Sequence, residues 1–130
     1  MGKKVLVVED NPAMVALLAD ALIDAGLVVI SAENGKEGLA LVETEKPDLV
    51  ILDLMMPVMS GLQVLRTLRS EPGTQYLPVI VLTGRNGQAD ALDGWMGGAD
   101  RYLTKPCSME EILAAVHGML SAGIRHEGRL

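Results

Sequence analysis

Short β-rich runs alternate with helical runs five times along this chain, and that rhythm restricts its fold more than any other feature. Val5-Leu6-Val7-Val8 is continuously apolar, as a strand covered on both faces must be. Leu49 to Leu52 and Pro78 to Leu82 read the same way, while Leu27 to Ser31 and Arg101 to Leu103 supply a second and a fifth strand. Asn11 can cap a first helix with Pro12 at its first position, and Met14, Leu17, Leu18, Ala21, Leu22 and Ala25 give it one apolar face before Gly26 ends it. Asn34 caps a second helix running to about Glu45, and Ser60 with Gln63 forms a capping box for a third that buries Leu62, Leu65 and Leu68. Residues 87–96 make a weaker helical segment with Gly94 inside it and Gly97-Gly98 closing it. Ser108 and Glu111 then cap a last helix on Ile112, Leu113, Val116 and Leu120. Such alternation demands an α/β doubly wound architecture: a parallel sheet with helices on both faces and right-handed crossovers.

The chain has 130 residues, enough for one domain, here read as 1–122 with a polar tail at 123–130. Its core must be aliphatic, because Tyr76, Trp95 and Tyr102 are its only aromatic residues. A net charge of −6 repels nucleic acid and anionic membranes, so direct binding to either is not expected. The apolar runs are too short to cross a bilayer, and no signal-peptide pattern opens the chain. Cys107 is the sole cysteine, which excludes an internal disulfide or a cysteine-built zinc cage and points to a cytoplasmic setting.

In open parallel sheets, sites collect at the carboxyl ends of the strands. Here the first strand runs into Glu9-Asp10, the third into Asp53, the fourth into Thr83-Gly84, and the fifth leads to Lys105-Pro106. Folding therefore gathers three carboxylates, a hydroxyl and an amine. Clustered carboxylates raise one another's pKa unless a cation sits among them, and oxygen ligands suit a hard ion such as Mg²⁺. A merely solvated acidic patch would not need three acids on two adjacent strand ends.

These residues resemble the receiver domain of two-component response regulators, including the single-domain chemotaxis type. The resemblance runs from about Lys4 to Ala122 and rests on Glu9-Asp10, the stretch from Asp53 to Gly61, Thr83-Gly84, Gly98-Ala99-Asp100 and Lys105-Pro106 in that order. It implies a five-stranded parallel sheet of order 2-1-3-4-5. It also implies that Asp53 accepts a phosphoryl group from a sensor histidine kinase or a phosphotransfer protein. Asp10, Asp53 and the backbone carbonyl of Met55 are then Mg²⁺ ligands, with Glu9 acting through a metal-bound water. Lys105, aimed by a cis bond to Pro106, Thr83 and the Gly84 amide contact the phosphoryl oxygens, and Tyr102 is the aromatic switch residue. Met55 and Arg85 flank the path of hydrolytic water. The surface formed by the 87–96 segment, the fifth strand and the last helix is the expected output face, toward a protein target, an effector domain or a second copy in a phosphorylation-dependent homodimer.

Competing functions fit less well. A phosphatase of the haloacid dehalogenase type needs an acid two residues after the nucleophile, where this chain has Met55. A flavodoxin-like carrier needs a phosphate loop after the first strand, where Glu9-Asp10 would repel the ligand. The same fold used as a phosphorylation-independent interaction module would not require the acid, Thr and Lys set. The chain is read as a signalling phosphoacceptor rather than an enzyme acting on another substrate.

Overall fold

The computed structural model describes residues 2–54, 56, 59–83, 99–105 and 108–122. Among these, five strands and four helices follow in the order β1 (Lys4–Val8), α1 (Pro12–Asp24), β2 (Val28–Ala32), α2 (Gly35–Glu45), β3 (Leu49–Asp53), α3 (Gly61–Ser70), β4 (Val79–Thr83), β5 (Arg101–Thr104) and α4 (Met109–Ala122). The segment 87–96 lies outside the described residues. All strand pairs are parallel and the sheet order is β2-β1-β3-β4-β5, as expected. The order reverses between β1 and β3, which puts the crevice of the sheet at their carboxyl ends.

Alternation along the central strands sorts the core into two layers. Leu6, Val8, Val50, Leu52, Val79 and Val81 face α2 and α3, meeting Val42, Val64, Leu65 and Leu68. Val5, Val7, Leu49, Ile51, Ile80 and Leu82 face α1 and α4, meeting Leu18, Leu22, Ile112 and Val116. Burial of each large aliphatic side chain contributes roughly 1.5–3 kcal/mol, so β1, β3 and β4 form a rigid base for whatever their ends carry.

Local signals set the helix starts. Asn11 Oδ1 accepts from the amides of Ala13 at 2.9 Å and Met14 at 3.3 Å, and Asn34 Oδ1 from Glu37 at 2.9 Å. Ser60 and Gln63 exchange bonds of 3.0 and 3.3 Å, and Ser108 and Glu111 bonds of 3.0 Å each way. One expectation fails on α1: Leu17 is 56% exposed, and Ala25 is exposed as well. The face that packs is Leu18 and Leu22, flanked by the half-buried Met14 and Val15. Successive helical residues turn by about 100°, so a stripe centred on Leu18 and Leu22 leaves Leu17 at the flank.

Candidate functional site

The end of β1 divides two neighbouring acids between core and solvent. The Glu9 amide still donates to the Ala32 carbonyl at 3.0 Å, which extends the sheet pattern by one residue and turns the Glu9 side chain inward. Glu9 is 2% exposed, whereas Asp10 is exposed. Asp53 closes β3, the strand beside β1, and is 4% exposed. Its backbone is clasped from behind. The Gly61 amide donates to the Leu54 carbonyl at 3.0 Å, and a Cβ on Gly61 would collide with the Asp53 carbonyl oxygen and the Leu54 Cα. Only glycine lets the first turn of α3 press this closely on the strand end.

Lys105 arrives from the other side. Thr104 pairs with Thr83 at the ends of β5 and β4, so Lys105 leaves the sheet one residue later, level with the acids. Its Nζ donates to Glu9 Oε1 at 3.1 Å and lies 3.5 Å from Asp53 Oδ2. Glu9 Oε2 accepts from the Asn11 amide at 3.2 Å. Burial and the nearby Asp53 charge hold the Glu9 carboxyl above the ordinary carboxylate range, although Lys105 and the Asn11 amide oppose this. Burial alone would lower the Lys105 ammonium, but Asp53 and Glu9 outweigh it and raise its pKa. Burial pushes the Tyr102 phenol up to about 12.

Glu9, Asp10 and Asp53 each offer a carboxylate oxygen, and the three atoms lie within 4.8 Å of one another. Among the described residues, three carboxylates against one ammonium leave two negative charges in a half-buried space. An all-oxygen donor set with that deficit fits a hard divalent cation, and Mg²⁺ takes such oxygens readily.

The structure thus brings together Glu9, Asp10, Asp53 and Lys105 of the sequence-derived set. Thr83 ends β4, and Tyr102 lies within β5, half-buried against the α2–α3 layer. Met55, Gly84, Arg85, Trp95, Pro106 and Cys107 lie outside the described residues. His117, on α4, is exposed. Sequence reasoning missed the direct Lys105–Glu9 bond, whose partners are 96 positions apart. It also gave Asp100 no role. That carboxylate, 5% exposed, accepts from Val79 N at 2.8 Å and Arg69 Nη2 at 3.0 Å. The hints available were its place in Gly98-Ala99-Asp100 and the basic Arg69 in the last turn of α3, which is common at helix ends.

Fold and site together define a doubly wound α/β domain with an acidic, lysine-flanked pocket at its topological switch point. The family model for the response regulator receiver domain matches residues 5–117. The chain belongs to that family. It is 42% identical over 120 residues to the alkaline phosphatase synthesis transcriptional regulatory protein PhoP of Bacillus subtilis, covering 92% of this chain and 49% of that protein. Protein PilH of Pseudomonas aeruginosa is 37% identical over 118 residues, covering 91% of this chain and 98% of PilH. Among solved structures, the signal receiver domain of a signal transduction histidine kinase from Syntrophus aciditrophicus superposes with a TM-score of 0.88 at 32% identity, covering 93% and 92% of the two chains. The chain spans about half the length of several transcriptional regulators it matches. No helix among the described residues is long and apolar enough to cross a membrane.

Proposed function

We propose that the chain is a phosphoacceptor switch that takes a phosphoryl group from a histidine kinase or phosphotransfer partner onto Asp53. The observation that carries this reading is the contact of one ammonium with two buried carboxylates: Lys105 Nζ at 3.1 Å from Glu9 and 3.5 Å from Asp53. Asp53 is the acceptor among the three acids. It closes β3 at the place the receiver family gives its phosphoacceptor, and its carboxylate lies 3.5 Å from the Lys105 ammonium, whereas Asp10 is exposed.

In the transfer, an Asp53 carboxylate oxygen forms the new P–O bond while the P–N bond to the donor imidazole breaks. The bond's electron pair stays on the imidazole nitrogen, which then takes up a proton. Lys105 moves its ammonium from the carboxylates to the phosphoryl oxygens, keeping it paired with negative charge throughout. Glu9, Asp10, Asp53 and the Met55 carbonyl would hold Mg²⁺, which supplies charge neutralisation when bound. The Thr83 hydroxyl and the Gly84 amide donate to the phosphoryl oxygens, and the inward movement of Thr83 is read out through Tyr102 on β5. The switched surface engages a downstream protein or a second copy. In this reading the protein promotes only its own phosphorylation and dephosphorylation.

Incubation with acetyl phosphate and Mg²⁺, followed by mass spectrometry, is expected to add one phosphate at Asp53 and none in Asp53→Asn. Undiminished labelling of the Asn variant would remove Asp53 as acceptor. Labelling of neither chain by any phosphodonor would favour a phosphorylation-independent interaction module instead.

A further inference from the structure

We infer that Asp100, held by Arg69, is a positioning residue for Lys105: it pins the register of β5 and so sets how far the ammonium reaches toward Asp53. The inference rests on the proposed role of Lys105 in phosphoryl transfer to Asp53.

β5 has four residues, pairs among the described residues with β4 alone, and buries one side chain, Leu103. A short edge strand with so little apolar pattern is weakly held in register. A slip by one residue would carry Lys105 along the strand by about 3.3 Å. Either of its contacts, at 3.1 and 3.5 Å, would then be lost.

Asp100, immediately before β5, supplies what the strand lacks. Its amide donates to the Val79 carbonyl at 3.0 Å, and its Oδ2 accepts from the Val79 amide at 2.8 Å. Two bonds to one residue fix both the level and the direction of the strand entry. Arg69 then fixes the carboxylate: Nη2 donates to Oδ2 at 3.0 Å, while Nη1 donates to the Thr74 carbonyl at 3.3 Å. The guanidinium belongs to the last turn of α3, the helix whose first residue, Gly61, is pressed on the Asp53 backbone. One rigid helix therefore links the nucleophile at one end to the register of β5 at the other. Through β5 it governs the ammonium that must meet the nucleophile. Displacements of about 1 Å in such a pair are enough to slow a reaction by one to two orders of magnitude.

The test is a double-mutant cycle on the initial rate of Asp53 phosphorylation by acetyl phosphate with Mg²⁺, measured on the full chain well below its unfolding transition. Asp100→Ala is expected to slow the reaction about tenfold, and to have no further effect in a Lys105→Ala background. Asp100→Asn retains an acceptor for the Val79 amide and should recover most of the rate, within about threefold of wild type. Arg69→Lys gives a second, milder perturbation, expected to act only when Lys105 is present. Equal losses with and without Lys105 in both series would show that Asp100 and Arg69 only support the fold, and would overturn the inference. A Lys105→Ala rate equal to wild type would also overturn it while leaving Asp53 as acceptor. A wild-type chain that never labels at Asp53 would remove the functional reading along with it.

Discussion

Two buried charge clusters lie near opposite ends of the same sheet, and they are built on opposite terms. At the amino ends of β4 and β5, one carboxylate, Asp100, meets one guanidinium, Arg69, and a main-chain amide. Charge balances there, and geometry supplies directed partners. At the carboxyl ends of β1 and β3, Glu9 and Asp53 share the single ammonium of Lys105, with Asp10 at the rim. Among the described residues, charge does not balance there. A buried pair that is matched and bonded holds its elements in place, whereas an unmatched group of carboxylates raises the free energy of the metal-free fold. The first cluster reads as the anchor that holds β5, and through it Lys105, in place, and the second as a site prepared for a cation and a phosphoryl group.

The largest effect is expected at the balanced cluster. Asp100→Ala removes the carboxylate that accepts from both Val79 N and a guanidinium only 14% exposed. Loss of one partner from a buried charged pair costs about 3 kcal/mol, well above an average substitution. Urea denaturation should show the midpoint falling with an unchanged slope. A loss below about 1 kcal/mol would mean the pair is peripheral, and the contrast with the acidic pocket would collapse.

The two clusters also differ in how legible they are in the sequence. The acids were legible because each follows an apolar run, and strand ends of a doubly wound sheet converge by topology. The helix starts were legible too, since Asn11, Asn34, Ser60 with Gln63 and Ser108 with Glu111 act within three residues of themselves. Arg69 and Asp100 stand 31 positions apart and Asp100 and Val79 stand 21 apart, so their meeting depends on strand register, which no local pattern encodes. Lys105 was legible as a neighbour of the acids by the same convergence of strand ends, but its direct bond to Glu9 was not. Leu17 failed for a related reason: apolar spacing identifies a helix face but not how the helix rolls on the sheet. The strand order itself came from family resemblance, because alternation alone permits several orders.

At the unbalanced cluster the sign should reverse. In chelator, Glu9→Gln is expected to stabilise the chain at neutral pH by about 1 kcal/mol, a gain of roughly 3–6 °C in Tm, since it removes a buried charge facing Asp53, although its one carbonyl oxygen can accept from only one of Lys105 and the Asn11 amide. The pH dependence follows from the raised Glu9 pKa. Protonated Glu9 adds stability below the unfolded value of 4.5, and that contribution is lost as pH rises through the higher folded value. The advantage of the Gln variant should therefore be small at pH 4, grow as pH rises toward neutrality, and then level off. Saturating Mg²⁺ should shrink it by stabilising the wild type more. A Gln variant less stable than wild type at pH 7 without metal would mean that the bonds from Lys105 and the Asn11 amide together outweigh the cost of the Glu9 charge.

The smallest effect belongs to a third pair, which serves as the baseline for both. Lys4 Nζ lies 3.1 Å from Glu45 Oε1 at the amino end of the sheet, with side chains 31% and 42% exposed. The same ammonium donates to the Glu45 carbonyl at 3.0 Å, a bond that survives replacement of the side chain. In solvent the Coulomb gain is screened and offset by the entropy of fixing two long side chains, so Glu45→Gln should cost less than about 0.5 kcal/mol. What cost there is should disappear in 1 M salt, where the screening length falls to about 3 Å. The Asp100→Ala loss should persist at the same salt, because a largely buried pair is screened much less than an exposed one. If Glu45→Gln cost as much as Asp100→Ala, burial would not be what separates these pairs. The distinction between a structural and a functional cluster would then have to rest on charge balance alone.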